Sequence, residues 1–314
     1  MTVAPYFDDV AEGPDAWVTT WARTADDVRI RLGFWPYPQA RGTIVMFPGR
    51  TEYIEKYARL ARDWAEAGFA SAAIDWRGQG LSDRLGSDDL QHHVGRFLDY
   101  QRDIAEFLSF LKRQGAPEPF HLFAHSMGGA IALRALVEGW RPAGAVFSAP
   151  MWGIHLTPVQ AVMAHALPSL AVRLGRGMTW VPGGERISHI IATTWAENKL
   201  THDADHYEWF VRQLETHPEL QLAAPSMQWF GQAMGELTRL GGARLPEVPA
   251  LAFVGDGEGI VSPAAIRRTI ARWPGGKLIE LPGARHEIFM EVPEVRSRAI
   301  EAALSHWADA TVPA

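Results

Sequence analysis

Short apolar runs alternate with amphipathic stretches along most of this chain. Residues 16–22 and 28–35 are rich in β-branched and aromatic side chains, and the polar turn Thr24-Ala25-Asp26-Asp27 joins them, which predicts a hairpin. Residues 43–47, 69–74, 120–124, 143–148 and 250–254 are dominated by apolar side chains, as in strands covered on both faces, and residues 277–281 read as the last strand. Helical spacing fills the gaps at residues 53–67, 97–113, 226–240 and 292–306. Ser262-Pro263 has the form of an N-cap and first helical position. Alternating strands and helices predict an α/β protein with a mostly parallel sheet covered by helices on both faces.

The alternation breaks after Met151, and up to residue 224 the pattern is helical, with no convincing strand. The expected organisation is a core built from residues 1–151 and 225–314, with residues 152–224 inserted as a helical cap. The insertion leaves from the carboxyl end of a strand, where ligands sit in such sheets, so it is expected to cover the site. Residues 159–174 are almost wholly apolar, interrupted by His165 and Pro168. Such a stripe leaves a face for a pocket or a lipid surface once core packing is satisfied.

Composition narrows the classes. Apolar residues make up 47% of 314 and charged residues 21%, enough for a full core in a soluble globular protein. A net charge of −6 without a basic run excludes nucleic acid as an expected partner. There is no cysteine, which removes disulfides, thiolate metal sites and cysteine nucleophiles. Residues 1–15 have no signal-peptide pattern, and no stretch of 18 apolar residues occurs. The expected location is cytoplasmic, with the cap as a surface for peripheral membrane contact. No cofactor or metal is expected. Gly255-Asp256-Gly257-Glu258-Gly259 fails as a dinucleotide loop because Ile260 stands where the third glycine belongs. His202 and His206, with Asp203 and Asp205 between them, read as a solvated helix face or turn, and His92-His93 likewise.

The chemistry gathers at predicted strand ends. His121 to Arg134 reads as a strand, a sharp turn at Ser126 and a helix, with Ala124, Gly128 and Gly129 small enough for close backbones. Ala124-His125-Ser126-Met127-Gly128 is a variant of the G-x-S-x-G nucleophile elbow. Pro48-Gly49-Arg50-Thr51-Glu52 follows one strand, Asp256 and Glu258 another, and His286 a third. A serine hydroxyl needs a base to take its proton, histidine can do so at neutral pH, and a carboxylate fixes its tautomer.

Three segments resemble an α/β-hydrolase, in particular its lysophospholipase and monoacylglycerol-lipase branch. They are Gly49-Arg50-Thr51-Glu52-Tyr53-Ile54-Glu55-Lys56-Tyr57, Asp75-Trp76-Arg77-Gly78-Gln79-Gly80-Leu81-Ser82 and His125-Ser126-Met127-Gly128-Gly129. Gly259-Ile260-Val261 and Gly283-Ala284-Arg285-His286-Glu287 extend the likeness. The resemblance implies Ser126 as nucleophile, His286 as base, and an oxyanion hole from the backbone N–H groups of Arg50 and Met127. It implies Glu258 as the acid by register, with Asp256 as competitor, although the branch commonly has aspartate there. Pro48 replaces the branch's usual histidine before the glycine, which leaves the anchoring of that loop open. The Arg50 side chain is read as solvated, and His125 as a packing and hydrogen-bonding residue. The implied reaction is hydrolysis of a lysophospholipid or monoacylglycerol through an acyl-enzyme. Alternatives with the same residues are a small aryl or alkyl esterase and an aminopeptidase. A third alternative is a non-catalytic ligand receptor.

Overall fold

The computed structural model describes residues 2–310. Strands β1 (Thr2–Val3), β2 (Val18–Arg23), β3 (Arg29–Trp35), β4 (Thr43–Phe47), β5 (Ala70–Asp75), β6 (Phe120–His125), β7 (Ala145–Ser148), β8 (Ala250–Gly255) and β9 (Lys277–Leu281) form one sheet. Its order is β1-β2-β3-β5-β4-β6-β7-β8-β9. β1, β2 and β3 pair antiparallel, as does β3 with β5, and the remaining pairs are parallel. This is the expected α/β architecture. β1 escaped the sequence reading because two exposed residues carry no periodicity.

The helices are α1 (Asp8–Ala11), α2 (Ala58–Glu66), α3 (Tyr100–Arg113), α4 (Met127–Val137), α5 (Pro158–Arg173), α6 (His189–Ala192), α7 (Ala204–Thr216), α8 (Met227–Gly241), α9 (Pro263–Ala271) and α10 (Pro293–Ala310). Two of the predicted helices start as a tighter 3-10 turn, at Ile54–Tyr57 and Phe97–Asp99. Ser262 caps α9 as expected, its hydroxyl accepting from Ala265 N at 3.3 Å. Parallel strands need helical crossovers, and these cover the sheet, so Trp35, Trp64, Trp76 and Trp307 are buried. Among the described residues no helix is long and apolar enough to cross a membrane.

Between β7 and α8 the named elements are helical. Thr157 opens α5 with a capping box closed by Gln160. Asp203 caps α7 through the N–H of His206 at 2.9 Å, so this carboxylate serves helix initiation. His206 turns inward and is buried, contrary to the solvated face expected, because α7 lays one side against the core. Trp209 and Gln213 of α7 both donate to Val10 O, at 2.8 and 3.0 Å, while Arg59 bridges Glu12 and Asp205. The apolar content of the insertion therefore divides. Trp209 and Phe210 are buried, whereas Met163, Leu170 and Leu174 are 48%, 53% and 64% exposed.

Candidate active site

β6 passes directly into α4, and Ser126 occupies the corner with φ 49° and ψ −117°. A positive φ in a serine is strained, and neighbouring bonds hold it. Ser126 N donates to Ser148 O at 3.1 Å, and its carbonyl accepts from Gly129 N at 2.9 Å and Met151 N at 2.8 Å. The corner is also tight. A Cβ on Gly128 would lie 2.0 Å from Phe47 O, the last residue of β4. Ala124 is fully buried one residue before the end of β6.

Phe47 pairs with Ala124 in register, so the loop after β4 runs beside the corner. Pro48 O accepts the Trp76 indole N–H at 2.9 Å, and Gly49 O accepts from Gln79 Nε2 at 2.8 Å. Gly49 N donates to the Glu52 carboxylate. These bonds come from the Asp75–Ser82 loop and from the start of the next turn, and they fix a loop that has proline where the family's branch has histidine. The backbone N–H groups of Arg50 and Met127 have no hydrogen-bond partner among the described residues.

The acid and the imidazole come from the far side of the sheet. Glu258 Oε2 lies 2.7 Å from His286 Nδ1, and both residues are buried. The other oxygen, Oε1, accepts from Ile260 N at 2.6 Å and Val261 N at 3.0 Å, so the carboxylate is oriented by its own loop. Burial pushes the Glu258 carboxyl up, yet His286 and those two N–H donors outweigh it and hold the group below its ordinary range. Asp256 is exposed and accepts from Gly283 N at 2.8 Å, which is the work of a turn residue. The structure thus brings Glu258 to His286 and leaves Asp256 apart. No hydrogen bond joins Ser126 Oγ to His286 among the described residues, although the His125 ring lies 4.8 Å from the His286 ring, tilted by 60°. Such contacts often tighten only with substrate bound.

Behind these groups lies a buried charge cluster that sequence reading missed. Lys56 Nζ donates to Glu52 Oε1 at 2.7 Å and to Glu287 Oε1 at 2.6 Å. Glu52 Oε2 also accepts the Tyr57 hydroxyl at 2.6 Å. His125 Nδ1 lies 3.1 Å from Ser148 O, and its Nε2 faces Glu287 at 3.4 Å and Glu52 at 3.5 Å as charge contacts. Burial opposes every one of these charges. Still, the carboxylates raise Lys56 and His125, while His125 and Lys56 hold Glu287 well below the carboxylate range. The cluster joins the loop after β4, the residue before Ser126 and the residue after His286. Glu52 and Lys56 are four residues apart, a pairing distance in helices, and that was the one local signal.

Two expectations need correcting. Arg50 is not solvated: its side chain is half-buried, and Nη1 donates to Ala223 O at 2.8 Å. His92 and His93 are buried as well, bonded to Tyr100 and Ser226. Both corrections have the same cause. The segment around Ala223–Ser226 folds back over these loops, a contact between residues more than a hundred positions apart.

A serine at a strained strand–helix corner, an imidazole backed by a carboxylate after later strands, and a sheet of this order define an α/β-hydrolase. A family model described as serine aminopeptidase, S33 (Hydrolase_4) matches residues 38–293, and the chain belongs to that family. It is 32% identical over 295 residues to lysophospholipase L2 of Escherichia coli (strain K12), a match covering 88% of this chain and 83% of that one. A soluble variant of monoglyceride lipase from Saccharomyces cerevisiae has the same fold, with a TM-score of 0.74 at 21% identity over 99% of this chain and 100% of that one. So does monoacylglycerol lipase of Paleococcus ferrophilus, with a TM-score of 0.68 at 23% identity over 88% and 99%. The chain is an enzyme of the carboxylic ester hydrolase class, similar to lysophospholipases and monoacylglycerol lipases.

Proposed function

We propose that this enzyme hydrolyses the carboxylic ester of a single-acyl-chain lipid, a lysophospholipid or a monoacylglycerol, through an acyl-enzyme on Ser126. The observation that carries the reading is the buried 2.7 Å contact between Glu258 Oε2 and His286 Nδ1. A carboxylate at Nδ1 keeps that nitrogen protonated and leaves Nε2 free to accept the Ser126 proton. Ser126 Oγ then attacks the ester carbonyl. The backbone N–H groups of Arg50 and Met127 receive the oxyanion, with the α4 N-terminus adding its dipole. His286 returns the proton to the leaving glycerol oxygen, and water repeats the sequence on the acyl-enzyme.

The lipid substrate is supported by the Escherichia coli lysophospholipase likeness and by the exposed Met163, Leu170 and Leu174 of the helical insertion. Residues 152–224 act in this reading as a cap, and that apolar surface meets the lipid aggregate from which substrate is drawn. The family description favours a second reading, cleavage of a peptide N-terminus. A free ammonium group needs an uncommitted carboxylate, and Glu52, Glu258 and Glu287 are each bound to Lys56 or His286. The test is a panel of p-nitrophenyl esters, monoacylglycerols, lysophospholipids and aminoacyl anilides with S126A as the blank. Release of fatty acid with fluorophosphonate labelling of Ser126 is the expected result. Cleavage of anilides alone would overturn it.

A further inference from the structure

Among the described residues the five buried cations each bond two carboxylates, whereas the half-buried Arg50, Arg84 and Arg285 bond none. Arg31 bonds Glu55 and Asp75, Lys56 bonds Glu52 and Glu287, and Arg59 bonds Glu12 and Asp205. Arg77 bonds Asp26 and Asp103, and Arg134 bonds Glu138 and Glu236. Arg50, half-buried beside the corner at Ser126, has no carboxylate within ion-pairing distance among the described residues. A guanidinium carries five N–H donors, and Arg50 spends one nitrogen on Ala223 O at 2.8 Å.

Its surroundings add positive charge. Arg84 reaches the same segment and donates to the carbonyls of Glu219 and Gln221 at 2.9 and 3.2 Å, and its Nη1 is buried without a partner. Burial lowers Arg50 to about 10, with only the Tyr100 hydroxyl and no carboxylate working against it. His92 is buried with Nδ1 unpartnered and is held neutral by burial first and then by Arg50 and Arg84. A half-buried cation with planar donors that no protein group takes, and with no internal counter-ion, offers those donors to an anion from outside.

We infer that the Arg50 side chain is the subsite for the anionic phosphodiester of a lysophospholipid head group. The inference rests on the ester-hydrolase reading above. In such a substrate the glycerol backbone separates the ester carbonyl from the phosphate, a span matched by an arginine side chain whose own N–H group faces the ester. Guanidinium and phosphate meet through paired, charge-assisted hydrogen bonds, which a neutral monoacylglycerol cannot make. Arg50 thereby selects lysophospholipid over monoacylglycerol.

The test compares kcat/KM for a lysophosphatidylglycerol and a monoacylglycerol of the same short acyl chain, both below their aggregation thresholds. The ratio of the two is read for the wild type, R50M and R50K, so that general damage to the site cancels. The expected result is a ratio lowered about tenfold or more in R50M and less in R50K, which keeps the charge but not the fork. Inorganic phosphate should inhibit p-nitrophenyl ester hydrolysis by the wild type competitively and R50M more weakly. An unchanged ratio with both lipids still turned over overturns the head-group subsite. Loss of phosphate inhibition with an unchanged ratio also overturns it, and assigns Arg50 to a free anion. Wild-type protein that cleaves none of these esters overturns the ester-hydrolase reading itself.

Discussion

Lys56 Nζ stands 2.6 Å from Glu287 Oε1, one residue beyond the imidazole that faces Glu258. Replacing Lys56 by methionine leaves Glu52 and Glu287 buried together without their cation. Breaking a buried pair in this way costs about 3–5 kcal/mol. K56M should lose that much in urea denaturation, and its kcat should fall further than its KM changes, because the loop holding Gly49 loosens. E287Q still offers Lys56 a carbonyl and should lose less of both.

Glu258 contacts His286 and Asp256 does not, a difference that mutation can read. E258Q keeps the shape but no longer holds the imidazolium, and the corresponding change in a serine protease lowers kcat about 10⁴-fold. A loss of about 10³–10⁴-fold in kcat is expected here. D256A removes an exposed hydrogen bond to Gly283 N, with an expected cost of about 1 kcal/mol and most turnover retained. Equal losses in the two variants would sink the assignment of the acid.

Gly128 carries a steric prediction. Its added Cβ would press 2.0 Å from Phe47 O and 2.7 Å from Pro48 O, so G128A must part the corner from the loop after β4. Overpacking of this kind costs roughly 1–3 kcal/mol. Both N–H groups assigned to the oxyanion ride on the displaced segments, so kcat should fall by at least ~10²-fold. Thermal denaturation and ester kinetics measure the two effects separately. A124G, by contrast, should stay active.

Acid should weaken the fold before it reaches the carboxylates. His121 is buried with Nδ1 unpartnered, and burial first, then Arg41 and His306, lowers it to about 4. The unfolded chain takes up this proton below pH ~6.5 while the folded chain does not until about 4. Stability therefore falls as pH falls through that window, by about 2 kcal/mol at pH 5 for this one group. His92, His93, His206 and His306 are lowered too and act in the same direction. H121F should lose about 2 kcal/mol less than the wild type between pH 7 and pH 5, read from urea midpoints at both. Parallel pH profiles for the two proteins would refute it.

The sheet was legible because its parallel strands are short apolar runs closed by glycine or proline, as Thr43–Phe47 is by Pro48-Gly49. The chemical groups were legible because each follows a strand end, and the spacing from Glu258 to Ile260 and Val261 is local: its carboxylate bonds both N–H groups. What stayed hidden was pairing across distance. Nothing near Arg50 announces that Ala223 will bury it, and nothing near Lys56 points to Glu287. His206 looked solvated for a different reason: its sequence neighbours Asp203 and Asp205 are charged, while Trp209 and Phe210, one turn further along α7, share its inward face.

The charge cluster also sets an order of events during synthesis. Lys56 and Glu287 are 231 residues apart, and the contact between Glu258 and His286 closes nearly as late. A nascent chain that has emerged only as far as β8 holds the Ser126 corner and the loop at Gly49 but neither Glu287 nor His286. Its Lys56 must stay hydrated or lean on Glu52 alone, and long-range closures of this kind are slow. In the proposed mechanism such a chain has no base for Ser126, so the segment carrying His286 and Glu287 would bring the base and the last charge of the cluster together.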